Sequence, residues 1–150
     1  MNRHEFRLSS YATLTWQLLL FSVMVAFVIS LFLEGDMNWL VWLLPVVVLA
    51  MSAPYIVRIG ELVTDLRRGA CSAAQLRLRD VSEEYAIVIH RQRGMVHWTL
   101  IFEDETQPGR LLSLSVAARR EEMTSLFSLD EYYVVEWLPR SRVIQAVRKA

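Results

Sequence analysis

The chain has 150 residues, of which 54% are hydrophobic, and its 16 basic and 16 acidic residues give a formal net charge of zero. This balance argues against nucleic-acid binding, and the length leaves room for one small folded core besides any membrane segment. The single cysteine, Cys71, excludes an intrachain disulfide bond.

Two long apolar runs dominate the first part of the chain. No charged residue occurs in 8–33 or in 37–57. A helix of about 20 residues spans the hydrocarbon core of a bilayer, so we predict transmembrane helices over about 11–33 and 39–59. The first run is also longer than the apolar part of a cleaved signal peptide. The sequence therefore predicts a membrane helical hairpin.

Basic residues flank the predicted helices on one side only. These five residues are Arg3, Arg7, Arg58, Arg67 and Arg68. The connection at 34–38 carries acidic residues and no basic ones, so the positive-inside rule predicts that the amino and carboxyl termini are both cytoplasmic. We expect a multi-pass protein of a bacterial inner membrane. Neither run carries an ionisable residue at mid-membrane depth, which argues against transport by this chain alone.

The second helix is predicted to continue into the cytoplasm until a glycine stops it. Residues 60–68 keep a helical pattern of apolar and charged side chains, and we predict that Gly69 forms a left-handed cap. The chain is therefore divided into a membrane anchor at 1–69 and a small cytoplasmic β-domain at 70–150.

The β-domain shows the alternation of apolar and polar residues that is typical of strands. We predict strands at 75–79, 85–90, 95–102, 110–116, 132–138 and 142–147, with one short helix within 117–127. Strands of this number and length favour a small antiparallel barrel or a rolled sheet.

A hairpin is predicted around 91–94, and its register defines one apolar face. That register pairs Ile89 with Trp98, Ile87 with Leu100, and Tyr85 with Phe102. On the opposite face it sets His90 against His97, and we expect both imidazoles to be exposed. A stable zinc site needs three or four ligands, so we predict no metal and no other cofactor. A metal- or ligand-sensing domain built on this pair stays open as an alternative.

Several arginines close to the membrane form a candidate contact surface for anionic lipid headgroups or for a partner protein. They are Arg67, Arg68, Arg77, Arg79, Arg91 and Arg93. The alternative is a solvated edge of the domain. No serine lies in a glycine elbow and no glycine-rich phosphate loop is present, so we predict no catalytic residue.

The last predicted strands include the stretch Tyr132–Ile144, in which Trp137-Leu138-Pro139 forms an aromatic-x-Pro exit from a strand. This stretch resembles the closing strands of a broad, poorly characterised bacterial family of two-helix membrane proteins with a small C-terminal cytoplasmic β-domain. The resemblance implies the same plan and brings no catalytic residues.

Together these features predict a protein without enzymatic activity. We expect the bilayer and either a membrane protein partner or a second copy of the chain as its contacts, and we expect no nucleic acid. The expected role is protein interaction that regulates or assembles a membrane complex. An accessory subunit of a transport or secretion machine is the alternative from the same observations.

Overall fold

The structure, a computed structural model, describes residues 3–33, 42–84, 94–107 and 109–150. It contains two long apolar helices and a six-stranded antiparallel sheet with one short helix. In chain order the elements are β1 (His4–Glu5), α1 (Leu8–Phe32), α2 (Leu43–Arg68), β2 (Ser72–Glu83), β3 (Met95–Asp104), β4 (Leu111–Arg119), α3 (Arg120–Leu126), β5 (Tyr132–Trp137) and β6 (Ile144–Lys149).

The helices α1 and α2 pack against each other and are long and apolar enough to cross a membrane. Only 11% of the residues in the most apolar stretch of each helix are buried. Phe32, for example, is 85% exposed, and Met24 and Met51 are exposed as well. A water-soluble protein buries the apolar side of its helices, so these helices present a surface that suits an apolar surrounding.

From Leu43 onwards, the predicted second span and the helical segment that follows it form one continuous helix, with Pro54 inside it. The helix ends where the sequence predicted. Gly69 adopts a left-handed conformation with φ of 61°, and its N–H donates to the carbonyl oxygen of Leu66 at 3.3 Å. Glycine takes this conformation without the steric penalty of a Cβ atom, which confirms the predicted cap.

The strand order of the sheet is β1-β6-β5-β2-β3-β4, and all of these neighbours are antiparallel. The sheet is open, so the closed barrel is not the alternative that forms. The sheet nevertheless curves so that β4 approaches β6: one isolated parallel bridge joins Ser115 of β4 to Val143, just before β6. The N–H of Ser115 donates to the carbonyl oxygen of Arg142 at 2.8 Å.

The predicted hairpin register is wrong. Strand β3 pairs with a longer β2, which sets Phe102 opposite Leu78 and Leu100 opposite Val81. On its other side, β3 pairs with β4. The predicted strand ends at residue 79, but β2 continues to Glu83, and a bulge between Leu78 and Asp80 shifts its register. Strand 85–90 and the turn residues 91–93 lie outside the described residues.

The N-terminal segment contributes a strand that the sequence analysis did not predict. His4 pairs with Val147 of β6, and Glu5 pairs with Ala146. The next residue, Phe6, is buried in the core and stacks on Phe127 with ring centroids 6.3 Å apart. The chain before α1 is therefore part of the folded sheet.

The buried apolar residues form two clusters. The larger one lies on one side of the sheet and includes Trp98, Leu100 and Phe102, whose inward orientation the sequence predicted correctly. The smaller cluster joins the helices to the sheet. It consists of Tyr11, Leu62, Ala117, Leu138 and Val143. The helical pair and the β-domain are consequently packed together.

Candidate functional site: the junction of helices and sheet

His97 of β3 lies in the junction between the helices and the sheet. Its ring stacks on that of Tyr11 in α1, with centroids 4.7 Å apart and planes 19° from parallel. Only 1% of His97 is exposed. The expectation of an exposed imidazole is wrong because the start of α1 covers this face of β3. His90 lies outside the described residues, so its predicted position opposite His97 is not described.

The buried His97 ring is held neutral. Neither ring nitrogen has a hydrogen-bond partner among the described residues. Burial lowers the pKa of His97 from 6.5 to about 4, although the nearby charge of Glu84 acts in the opposite direction. At neutral pH the junction therefore holds an uncharged imidazole against an aromatic ring.

Glu84, which directly follows β2, connects α2 to the sheet. Its carboxylate accepts hydrogen bonds from Nη1 and Nη2 of Arg58 at 2.9 and 3.2 Å, and from Oγ1 of Thr99 at 3.0 Å. Its Oε2 lies 3.9 Å from Nδ1 of His97. Burial alone would raise the pKa of Glu84, but the hydrogen bonds and charge of Arg58 lower it below its ordinary value. This two-point ion pair thus ties the helix to the sheet.

Asp65 forms a second connection from α2, one turn after Leu62. It is fully buried, and its Oδ2 accepts hydrogen bonds from the backbone N–H of Arg140 at 3.0 Å and of Ser141 at 2.8 Å. The hydroxyl of Ser141 also donates to Oδ2, at 2.9 Å. Asp65 thereby provides the hydrogen-bond acceptor for the donors of the turn between β5 and β6. Its other oxygen, Oδ1, has no hydrogen-bond partner among the described residues.

The sequence predicted no site at Tyr11, Arg58, Asp65 or Glu84. One signal existed: Asp65 lies three residues after Leu62, on the same face of the helix, and both are buried. A carboxylate on the inward face of a helix indicates a buried partner. The partners themselves are distant in sequence and give no local signal.

The arginines of the predicted contact surface do not share one environment. Nε of Arg79 donates to Glu103 at 2.6 Å, and its Nη1 donates to Asp130 at 2.8 Å. Arg77 also contacts Asp130, at 3.1 Å. These two guanidinium groups are thus neutralised by carboxylates on the sheet. Arg67 and Arg68 are exposed in the last turn of α2, while Arg91 and Arg93 lie outside the described residues.

The arrangement supports structural attachment more directly than chemistry. Among the described residues, the helices and the sheet meet through the smaller apolar cluster, the Arg58–Glu84 ion pair, the buried carboxylate of Asp65 and the stack of Tyr11 on His97. Within the ranges that the structure describes, no three His, Cys, Asp or Glu side chains are close enough to hold a metal ion. The chain matches no protein-family model, no curated protein and no solved structure, so the resemblance of its C-terminal strands stays a prediction.

Proposed function

We propose that this chain is an integral protein of a bacterial inner membrane whose cytoplasmic β-domain binds a membrane protein partner or a second copy of the chain. In this role it regulates or assembles a membrane complex and catalyses no reaction. The two exposed apolar helices support the membrane location. The arginines at the start of α1 and at the end of α2 support cytoplasmic termini.

The observation that carries the proposal is the attachment of the β-domain to both helices. Tyr11 of α1 stacks on His97, while Arg58 and Asp65 of α2 bind Glu84 and the β5–β6 turn. A domain fixed at these points moves with the helices. Contacts that a partner makes with the helices would therefore reach the surface of the sheet, which is what regulation of a complex requires.

The membrane topology is tested with the single native cysteine. Cys71 is exposed just after α2. We expect a membrane-impermeant maleimide to leave Cys71 unlabelled in intact cells and to label it after the membrane is permeabilised. In the matched control, Cys71→Ser is combined with Asp36→Cys in the predicted external connection, and this variant should label in intact cells. Labelling of Cys71 in intact cells would refute the cytoplasmic orientation.

The interaction is tested by purifying the full chain in mild detergent and measuring the mass of the intact complex. We expect a stoichiometric partner or a second copy. Asp65→Ala removes the acceptor that holds the β5–β6 turn on α2 and should weaken the complex. Glu61→Ala, one turn earlier on the same helix, should leave it intact. A monomer that carries one equivalent of zinc would instead support the sensing alternative.

A further inference from the structure

An open groove of about 950 Å³ lies where the N-terminal strand, the start of α1 and α3 meet. Phe6, Met95 and Ala117 supply the apolar part of its lining, and Ser10 and titratable side chains supply the rest. The groove begins beside the first turn of α1, so in the proposed membrane orientation it lies at the level of the lipid headgroups.

The charged groups in this groove fall into two sets. In the first set, Glu5 forms an ion pair with Arg3 at 2.9 Å, and Oε1 of Glu122 lies within hydrogen-bond distance of Nε2 of His4, at 2.7 Å. The other charged residues of the lining are Arg7, Arg119 and Glu121. These three form no ion pair with another residue in the described part of the chain. The groove therefore offers two guanidinium groups and one carboxylate to a ligand.

This set of charges suits a ligand that carries a phosphate and an ammonium group together. A guanidinium presents paired N–H donors that match the oxygens of a phosphate. A primary ammonium can donate hydrogen bonds to a carboxylate such as that of Glu121, whereas a quaternary ammonium has no N–H to donate. An ethanolamine headgroup has both required parts.

A second, smaller space extends the groove along α1. It has a volume of about 130 Å³, and its lining includes Thr13 and Leu14. It shares Ser10 and Met95 with the larger groove, so the two are adjacent. A charged groove that continues along an apolar helix fits an amphiphile, with its headgroup in the groove and the start of an acyl chain on α1.

We propose that this groove binds the headgroup of a phospholipid with a primary ammonium, such as phosphatidylethanolamine, in the leaflet that faces the β-domain. The inference depends on the proposed membrane location. Arg7 and Arg119 bind the phosphate, and Glu121 accepts hydrogen bonds from the ammonium. The lipid would thereby contact the start of α1, the end of β4 and α3 at once and hold the domain against the membrane.

The test is native mass spectrometry of the full chain in detergent, titrated with three lipids of equal acyl chains. We expect phosphatidylethanolamine to bind about tenfold more tightly than phosphatidylcholine or phosphatidylglycerol, as one charge-assisted hydrogen bond provides. Arg7→Gln with Arg119→Gln should weaken binding of all three lipids. Glu121→Gln should remove only the preference for ethanolamine. Arg148→Gln, which changes an exposed arginine on β6, should have no effect.

Two results would overturn the inference: equal binding of the three lipids, or binding that the double arginine variant leaves unchanged. Competition with free phosphoethanolamine distinguishes a membrane lipid from a soluble phosphate ester as the natural ligand. If this compound displaces the lipid at equal concentration, the ligand is a soluble phosphate ester and the lipid assignment is wrong. The maleimide experiment on Cys71 distinguishes failure of this inference from failure of the proposed membrane topology. If Cys71 is labelled as expected but the protein shows no lipid preference, only the lipid inference is refuted.

Discussion

The ring of Tyr11, in the first turns of an exposed apolar helix, lies flat on the ring of a histidine in the third strand of the sheet. The centroids of Tyr11 and His97 are 4.7 Å apart. This contact joins a helix that suits a membrane to a domain that suits water. It places a titratable group inside the joint between them, which makes the joint sensitive to acid.

The first prediction concerns pH and His97. Because the pKa of this buried imidazole is about 4 when folded and 6.5 when free, the unfolded chain takes up the proton first as the pH falls. The contribution of neutral His97 to the free energy of unfolding is fully present above about pH 6.5. It should decline by about 3 kcal/mol as the pH falls toward 4. Thermal unfolding of the full chain in detergent, measured across this range, checks the prediction.

His97→Phe is the control for that experiment, since it keeps a ring against Tyr11 and removes the titration. The charged groups that face His97 are Glu84 and Arg58. Glu84 has a lowered pKa, so its contribution is lost only at more acidic pH. The decline between pH 6.5 and 4 should therefore shrink in His97→Phe. An identical pH profile in both proteins would show that His97 is not the sensitive group.

The second prediction concerns Asp65. Asp65→Ala leaves the N–H groups of Arg140 and Ser141 without their charged, buried acceptor and should cost about 3 kcal/mol of stability. Amide hydrogen exchange gives the local measurement: the amides of Arg140 and Ser141 should exchange faster. Glu61→Ala serves as the matched control on the same helix and should change neither quantity. Unchanged exchange at the turn in Asp65→Ala would contradict the described contact.

The third prediction concerns Trp98 in the larger core. This side chain is 8% exposed, and its Nε1 donates to the carbonyl oxygen of Ala118 at 3.1 Å. Trp98→Ala should destabilise the chain by about 3–5 kcal/mol. Trp16→Ala removes the same side chain from a position that is 51% exposed and should have a small effect. Circular dichroism during heating compares them, and equal melting temperatures would exclude Trp98 from the core.

The fourth prediction concerns the N-terminal strand. Phe6 is buried against Phe127, so Phe6→Ala should lower the free energy of unfolding by about 3 kcal/mol. The same substitution at Phe32, which is 85% exposed, is the control. If both variants unfold like the parent protein, the segment before α1 does not belong to the sheet. The measurement requires the full chain because β1 lies outside the predicted domain 70–150.

The sequence by itself determined the features that depend on neighbouring residues. An uncharged apolar run of more than 20 residues favours a helix over a strand, and the described helices Leu8–Phe32 and Leu43–Arg68 overlap the two predicted spans. A glycine after the last helical residue ends α2, because Gly69 alone accepts a left-handed backbone there at low cost. Alternation of apolar and polar side chains set the inward face of β3, since successive residues of a strand point to opposite sides.

Only the tertiary structure decided which distant segments meet. A bulge between Leu78 and Asp80 shifts the pairing of the following part of β2 with β3 by one residue, and no local pattern specifies it. Strand β1 has two residues, too few to show a period. His97 resembles an exposed residue on a polar face until α1 covers it. Burial, register and the lowered pKa of His97 all follow from contacts between residues far apart in sequence, so they are established only when the chain folds.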